Sequence, residues 1–176
     1  MRFSCALPGK QYRDLIAHLL PRPCKTEEAA FLFCRTVASE EHTVFELLEM
    51  HLVPASEFTY KSLYGMELTD GCRADVVKRA HDLGASIIEV HSHPKSRTVE
   101  FSGSDRIGFE DFVPHVWWRL KKKPYAAVVV GPNNFDSLSW NSDPRCPAGA
   151  LDLQVGQQVL HPTGLSLKHW EHAYEL

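Results

Sequence analysis

Apolar residues recur at two spacings along this chain, and these spacings predict an order of helices and strands. Helical spacing predicts helices over 9–20 and 73–83 and another that begins at Ser102, which Pro114 should kink or split. Gly84 is the expected stop of the second helix. Short apolar runs predict strands over residues 31–38, 43–54, 85–93 and 125–130. The first two runs flank a short polar turn, which is typical of a β-hairpin.

The segments between these runs are more polar, and we expect loops over 55–71 and 95–101. The tail from 133 to 176 contains two short strand-like pieces, 135–140 and 151–160, and then a polar end. Helices that alternate with strands in this order predict an α/β fold, in which a mixed β-sheet is flanked by helices.

Composition limits the classes of function that we expect. A chain of 176 residues with 44% hydrophobic and 23% charged residues fits one globular domain. A net charge of −3 does not suggest nucleic-acid binding. Five scattered cysteines without a CxxC pair indicate reduced thiols, and no apolar stretch is typical of a membrane span or a signal peptide. We therefore expect a cytoplasmic protein without nucleic-acid or membrane partners.

His91-Ser92-His93-Pro94, at the end of an apolar run, is the strongest chemical signal in the chain. Strand side chains alternate between faces, so both imidazoles can point the same way. Asp105 follows shortly downstream and completes a His, His, Asp set. Three protein ligands and an open fourth position are typical of a catalytic zinc site. The pattern predicts a metal-dependent hydrolase.

Two parts of this assignment have competing interpretations. Ser102-Gly103-Ser104-Asp105 also has the pattern of a helix capping box, in which both side chains bind backbone N–H groups. Hydrolysis further requires a base, and spacing alone does not select one. The candidate carboxylates are Glu27, Glu28, Glu40, Glu41, Glu46 and Glu89, each of which is equally a typical surface residue.

Together these residues resemble the JAB/MPN metalloproteases, whose JAMM motif is a Glu, then His-Ser/Thr-His-Pro, then Ser-x-x-Asp. The resemblance covers about residues 9–131 and implies a single JAB/MPN-like domain with a cytidine-deaminase-like αβα sandwich, followed by an extension over 132–176 that packs on it. It selects Glu28 as the base, with His91, His93 and Asp105 as Zn²⁺ ligands and Ser102 as an oxyanion donor. Eleven residues separate His93 from Asp105, one more than is usual in the family.

The resemblance implies a zinc isopeptidase or peptidase that acts at the C-terminus of a ubiquitin-like protein. The prokaryotic branch in antiphage operons is the most similar in size, so E1-like and E2-like enzymes are further expected partners. The substrate tail should add as a strand to a sheet edge or lie along 55–71. Two alternatives stay open: processing of a sulfur-carrier protein, and a non-catalytic MPN-type scaffold.

Overall fold

The computed structural model describes residues 1–173, with side chains described as far as Trp170. The strands are β1 (Arg2–Leu7), β2 (Ala29–Ala38), β3 (His42–Leu52), β4 (Phe58–Lys61), β5 (Met66–Leu68), β6 (Ser86–Ser92), β7 (Tyr125–Val130), β8 (Phe135–Trp140), β9 (Leu151–Val155) and β10 (Gln158–Leu160). The helices are α1 (Gly9–Leu19), α2 (Asp70–Leu83), α3 (Gly103–Arg119) and α4 (Leu165–Ala173), and a short 3₁₀ turn covers Ala55–Glu57.

Eight of these strands form one mixed sheet in the order β10-β9-β1-β3-β2-β6-β7-β8. β1 lies parallel to both β3 and β9, and β6 lies parallel to β7, whereas the other neighbouring strands are antiparallel. β2 and β6 are inner strands, buried along most of their length. The antiparallel pair β4 and β5 forms a separate small sheet.

Helices cover both faces of the large sheet. On one face, Leu15 and Leu19 of α1 pack against apolar side chains of β1, β2 and β3. On the other face, α2, α3 and α4 contribute to a second apolar cluster, which includes Val76, Val113 and Trp170. Apolar residues on both faces explain why the inner strands appear in the sequence as continuous apolar runs.

Most of the predicted elements are confirmed. The helices over 9–20 and 73–83, the hairpin of β2 and β3, and the strands β6 and β7 lie where the apolar spacing placed them. Gly84 ends α2 in the left-handed conformation, with φ 60°. The strand-like pieces of the tail are β8, β9 and β10, and all three belong to the large sheet.

Other expectations were wrong. Residues 55–71 form not a simple loop but a 3₁₀ turn, β4, β5 and the first residues of α2. α3 is not split at Pro114, since it runs from Gly103 to Arg119. The sequence analysis also missed β1, whose buried Phe3, Cys5 and Leu7 alternate with period two, and it missed α4.

The architecture is therefore a mixed α/β fold, with four helices among the described residues. The proposed extension over 132–176 contributes three strands to the same sheet as the first 131 residues, and its last three residues, 174–176, lie outside the described part. Within residues 1–173, no helix has both the length and the apolar character needed to cross a membrane.

Candidate metal centre

The end of β6 presents two imidazoles on one face of the sheet. His91 lies within β6, and His93 follows directly, its N–H donating to the Val130 carbonyl of the neighbouring strand at 2.8 Å. Because the backbone stays extended, the two side chains point the same way. Their Nε2 atoms are 3.2 Å apart. The sequence-based expectation that these histidines converge is met.

Asp105 reaches the same point from the first turn of α3. Its Oδ1 lies 3.6 Å from His91 Nε2, and its Oδ2 lies 3.4 Å from His93 Nε2. Ser102 caps the helix: its Oγ accepts from the Asp105 N–H at 3.2 Å, while the Ser102 N–H and Oγ–H donate to Asp105 Oδ2 at 2.7 Å. The capping box and the histidine cluster thus use the same carboxylate. Ser102 contacts Oδ2, which also faces His93, while Oδ1 faces His91.

The three side chains have the spacing that a tetrahedral metal requires. Ligand atoms about 2.0–2.1 Å from a tetrahedral centre stand about 3.3–3.4 Å from one another. The two Nε2 atoms here are 3.2 Å apart, Asp105 Oδ1 is 3.6 Å from His91 Nε2, and Asp105 Oδ2 is 3.4 Å from His93 Nε2. Two imidazole nitrogens and one carboxylate oxygen also match zinc in chemical type. The residues therefore fit a metal such as zinc.

Electrostatics at the cluster favour a cation. Burial alone would raise the pKa of Asp105, but the imidazoles of His91 and His93 outweigh this effect and hold that pKa well below its usual range. Burial alone would lower the pKa of His91, but the Asp105 carboxylate raises it overall, with a smaller contribution from Glu27. Positive charge is thus stabilised where the ligand atoms meet.

Glu27 is the carboxylate that stands beside this cluster. It is buried, and its Oε1 lies 3.9 Å from His93 Nε2. That separation is too long for a direct hydrogen bond, but a water molecule can bridge it. Burial raises the pKa of Glu27, and the attraction of His91 and His93 opposes that rise. A buried carboxylate with a raised pKa, next to a possible metal site, has the properties of a general base.

The structure does not bring Glu28 to this position. Both carboxylate oxygens of Glu28 accept from Lys61 Nζ at 2.7 Å, and Oε1 also accepts from the Thr26 hydroxyl at 2.8 Å. The Lys61 ammonium in turn lies 4.6 Å from the centroid of the Phe58 ring. The Glu28 carboxylate is therefore paired with the Lys61 ammonium of β4. The sequence-based choice of Glu28 over Glu27 is corrected here on geometry.

Strand register explains why the first of the two glutamates faces the histidines. Ala29 pairs with His91, and Ser92 exchanges hydrogen bonds with the Glu28 backbone at 3.0 Å. Residues opposite each other on neighbouring strands share a face, so Glu27 lies on the face of the two histidines. Glu28 lies on the other face, with Ser92. Sequence reasoning kept Glu27 among six candidates but did not select it, because β2 is apolar on both faces and the pattern does not show which face each residue occupies.

An open cavity of about 410 Å³ adjoins the cluster. Glu27, His93, Ser102 and Asp105 line it. The β4–β5 connection, Leu63–Met66, also lines it, and Tyr64 in that connection is 84% exposed. The segment expected to guide an extended substrate, 55–71, thus contributes a wall of this cavity.

Glu89, the other carboxylate on this strand face, is engaged elsewhere. It accepts a short hydrogen bond from the Tyr125 hydroxyl. Burial raises the pKa of Glu89, and the Tyr125 hydrogen bond opposes that rise. Glu89 lines a smaller cavity of about 150 Å³ behind His91 and Asp105. Its phenol partner makes Glu89 a weaker candidate for the base than Glu27.

Comparisons with known proteins do not identify the chain: no protein-family model matches it, and a search of curated proteins gave no match. The assignment of a site therefore depends on the geometry. Among the described residues, two groups of side chains could hold a metal ion. One is His91, His93 and Asp105, and the other is His51, Glu57 and Cys72.

Proposed function

We propose that this protein is a zinc-dependent hydrolase that cleaves the peptide or isopeptide bond following the C-terminus of a ubiquitin-like protein. The observation that carries the proposal is the convergence of His91, His93 and Asp105, at the separations of tetrahedral zinc ligands, beside the buried carboxylate of Glu27. The reaction class follows from this donor set. The substrate class follows from the resemblance of the motif to the JAB/MPN metalloproteases.

In the proposed mechanism, His91 Nε2, His93 Nε2 and the Asp105 carboxylate would hold the metal. When bound, zinc supplies a Lewis acid for the substrate carbonyl and lowers the pKa of a water molecule. Glu27 accepts the proton that the attacking water loses, and then delivers it to the leaving nitrogen. Burial suits Glu27 to this role because its raised pKa brings it closer to neutral pH.

Ser102 has a positioning role in this scheme. Its hydroxyl donates to Asp105 Oδ2 at 2.7 Å, which fixes the carboxylate beside the two imidazoles. Partners that orient a ligand in this way commonly tune metal affinity. The oxyanion contact expected for Ser102 from the motif would require its hydroxyl to turn away from Asp105, and that contact stays a prediction.

The shape of the cavity is consistent with a chain end as substrate. Residues of the candidate metal centre and of the Leu63–Met66 connection both line it, so an extended segment can contact both. β4 and β5 form a sheet of only two strands, whose edges can accept a further strand. A flexible C-terminal tail satisfies both requirements, whereas a folded surface loop is harder to accommodate.

The adjacent glutamates provide a matched test of the mechanism. The substrates are ubiquitin and a second ubiquitin-like protein, each carrying a fluorogenic amide at its C-terminus. Glu27→Gln should bind zinc as the wild-type protein does but lose about 10²–10⁴-fold in turnover, because the proton acceptor is removed. Glu28→Gln should keep its turnover within a few-fold, because that carboxylate faces Lys61.

Three results would contradict the proposal in different parts. Normal turnover by Glu27→Gln together with loss of turnover in Glu28→Gln would reverse the assignment of the base. Cleavage of a sulfur-carrier fusion but of neither ubiquitin-like substrate would overturn the substrate class. Purification without stoichiometric zinc, with no gain of activity on adding it, would favour the scaffold alternative.

A further inference from the structure

A second group of potential metal ligands lies away from the first centre, and the proposed mechanism does not use it. His51 comes from β3, Glu57 from the 3₁₀ turn before β4, and Cys72 from the first turn of α2. Each offers one ligand atom, and the three atoms lie within 4.8 Å of one another. His51 Nε2 and Glu57 Oε2 are 2.8 Å apart, and a ligand atom of the buried Cys72 lies within 4.8 Å of both side chains' ligand atoms.

The backbone holds these three residues in place. His51 pairs with Phe31 of β2, so its side chain lies on the sheet face against which α2 packs. The Thr69 N–H donates to the Glu57 carbonyl at 2.9 Å, and the Cys72 N–H donates to the Thr69 hydroxyl at 3.1 Å. Because the start of α2 is tied in this way to the 3₁₀ turn, the ligand atoms are brought together by the fold itself.

The thiol of this group is buried close to a carboxylate. Cys72 is 3% exposed, and burial together with the neighbouring Glu57 raises the pKa of its thiol to about 12. Burial would raise the pKa of Glu57, but the hydrogen bonds from His51 and Cys72 lower it overall. A buried thiol thus keeps its proton beside an ionised carboxylate. A divalent cation would replace that proton and neutralise both sulfur and oxygen.

We propose that His51 Nε2, Glu57 Oε2 and Cys72 Sγ form a second metal site, selective for Zn²⁺ among the common divalent ions. Nitrogen, oxygen and thiolate sulfur are the donors that zinc takes in proteins, whereas Mg²⁺ and Ca²⁺ prefer oxygen alone. On binding, the Cys72 S–H proton passes to solvent as the Sγ–metal bond forms. The His51–Glu57 hydrogen bond is given up at the same time.

The position of this second site indicates a structural role. The side chains of His51 and Glu57 are 35% and 32% exposed, which leaves a route for the ion from solvent. The bound metal would join β3, the 3₁₀ turn and α2 at the base of the β4–β5 segment. That segment carries Leu63–Met66, which line the cavity at the first centre. A metal bound at the start of this segment would therefore stabilise one wall of the cavity.

Cobalt provides a test that is specific for the second site. Co²⁺ bound to a thiolate gives an intense charge-transfer absorption in the near ultraviolet, and the first centre has no sulfur ligand. Titration of the metal-free full chain with Co²⁺ should produce this band in the wild-type protein and in His93→Gln. Cys72→Ser should lose the band, whereas Cys146→Ser, at an exposed cysteine, should keep it.

Zinc stoichiometry gives an independent measurement. Wild-type protein should bind two equivalents of Zn²⁺ by equilibrium dialysis, and Cys72→Ser should bind one. His51→Gln should likewise bind one, and because His51 is partly exposed this variant repeats the test without changing the core. An unchanged stoichiometry in both folded variants, or a cobalt band that survives Cys72→Ser, would overturn the proposal. If the first centre did not bind metal, the cobalt band from the second site would still appear. The two proposals can therefore be tested separately.

Discussion

At the scale of single residues, Ser102 connects the fold to the chemistry. Its hydroxyl accepts from the Asp105 N–H and donates to Asp105 Oδ2. Ser102→Ala removes both contacts, so it should lower the free energy of unfolding by about 1 kcal/mol, as the loss of a cap does. It should also weaken zinc binding by about 10–100-fold, because the ligand carboxylate loses its orienting partner. Chemical denaturation and zinc titration measure the two effects.

Ser104→Ala is the matched control for this prediction. Ser104 is exposed, and its Oγ lies 3.0 Å from Ser102 Oγ rather than on the carboxylate. Its substitution should leave both zinc affinity and stability nearly unchanged. If Ser102→Ala keeps the zinc affinity of the wild-type protein but loses turnover, Ser102 acts on the substrate, as the motif suggested, and not on Asp105.

The three candidate metal ligands could be predicted from the sequence because each signal is local. His91 and His93 are two residues apart on one strand, and Asp105 is positioned by its own capping box. The choice between Glu27 and Glu28 could not be predicted in the same way. It depends on the pairing of Ala29 with His91, which joins two strands far apart in the chain. A shift of that register by one residue would bring Glu28 to the histidines instead.

At the scale of elements, glycines at two helix positions should respond to the same substitution with opposite sign. Gly84 ends α2 with φ 60°, and Gly108 lies inside α3, and a Cβ at either position would meet no other atom. Gly84→Ala should therefore destabilise the protein by about 1 kcal/mol, because a side chain strains the left-handed conformation. Gly108→Ala should stabilise it by about 0.4–1 kcal/mol, because alanine loses less entropy in a helix.

Thermal and urea unfolding of the two variants side by side tests this prediction. Each substitution adds one methyl group, so a difference in sign isolates the backbone conformation from packing. Equal destabilisation of both variants would indicate that the local backbone at Gly84 is not the cause. The sequence could predict the end of α2 because the signal, a glycine after an amphipathic run, directly follows the helix in the sequence.

α4 was missed because a residue far away in the sequence provides its N-terminal contacts. The buried Asp136 of β8 accepts from the Gly164 and Ser166 N–H groups at 2.9 and 2.8 Å, and from the Ser137 N–H at 2.9 Å. A carboxylate near a helix start satisfies N–H groups that lack a partner within the helix. The polar sequence around the start of α4 does not show this carboxylate, so the local pattern gave too weak a signal.

Asp136→Asn should consequently loosen α4 from the sheet. An amide keeps one acceptor oxygen but turns a donor NH₂ toward the remaining N–H groups, so we expect a loss of about 1–3 kcal/mol in the free energy of unfolding. Asp143→Asn is the control, since Asp143 Oδ1 accepts from the Arg145 N–H at 2.8 Å in an exposed turn. Hydrogen exchange over 165–173 should accelerate in the first variant and not in the second. If exchange over 165–173 were equal in the two variants, the Asp136 contacts would not be what stabilises α4.

At the scale of the whole molecule, the mixed sheet could be predicted but its strand order could not. Strand and helix spacing predicted helices packed on a mixed sheet, which the structure confirms at that level. β1, however, lies between β3 and β9, and it is parallel to both. These pairings join the first strand of the chain to residues 42–46 and 151–155, and local apolar spacing carries no information about them. The expected division at residue 131 came from motif coverage and not from these pairings.

Cutting the chain after residue 131 should therefore prevent folding. The cut removes one of the two partner strands of β7, which is β8, and one of the two partner strands of β1, which is β9. It also removes six buried side chains from the two apolar clusters, namely Phe135, Leu138, Trp140, Leu151, Leu153 and Trp170. Losing even one such side chain typically costs about 2–5 kcal/mol. Domains are stable by only about 5–15 kcal/mol in total, so the shortened chain cannot retain the native fold.

Circular dichroism and amide NMR of chain 1–131 test this expectation, and point variants in the full chain test its cause. Leu138→Ala, at a fully buried position of β8, should lower the free energy of unfolding by about 3–5 kcal/mol. Val159→Ala, which is 48% exposed on the edge strand β10, should change it by less than about 0.5 kcal/mol. A shortened chain that unfolds cooperatively and still binds zinc would show that residues 1–131 fold alone. The strands after residue 131 would then be an appendage, and the pairings of β1 with β9 and of β7 with β8 would not be required for the metal centre to form.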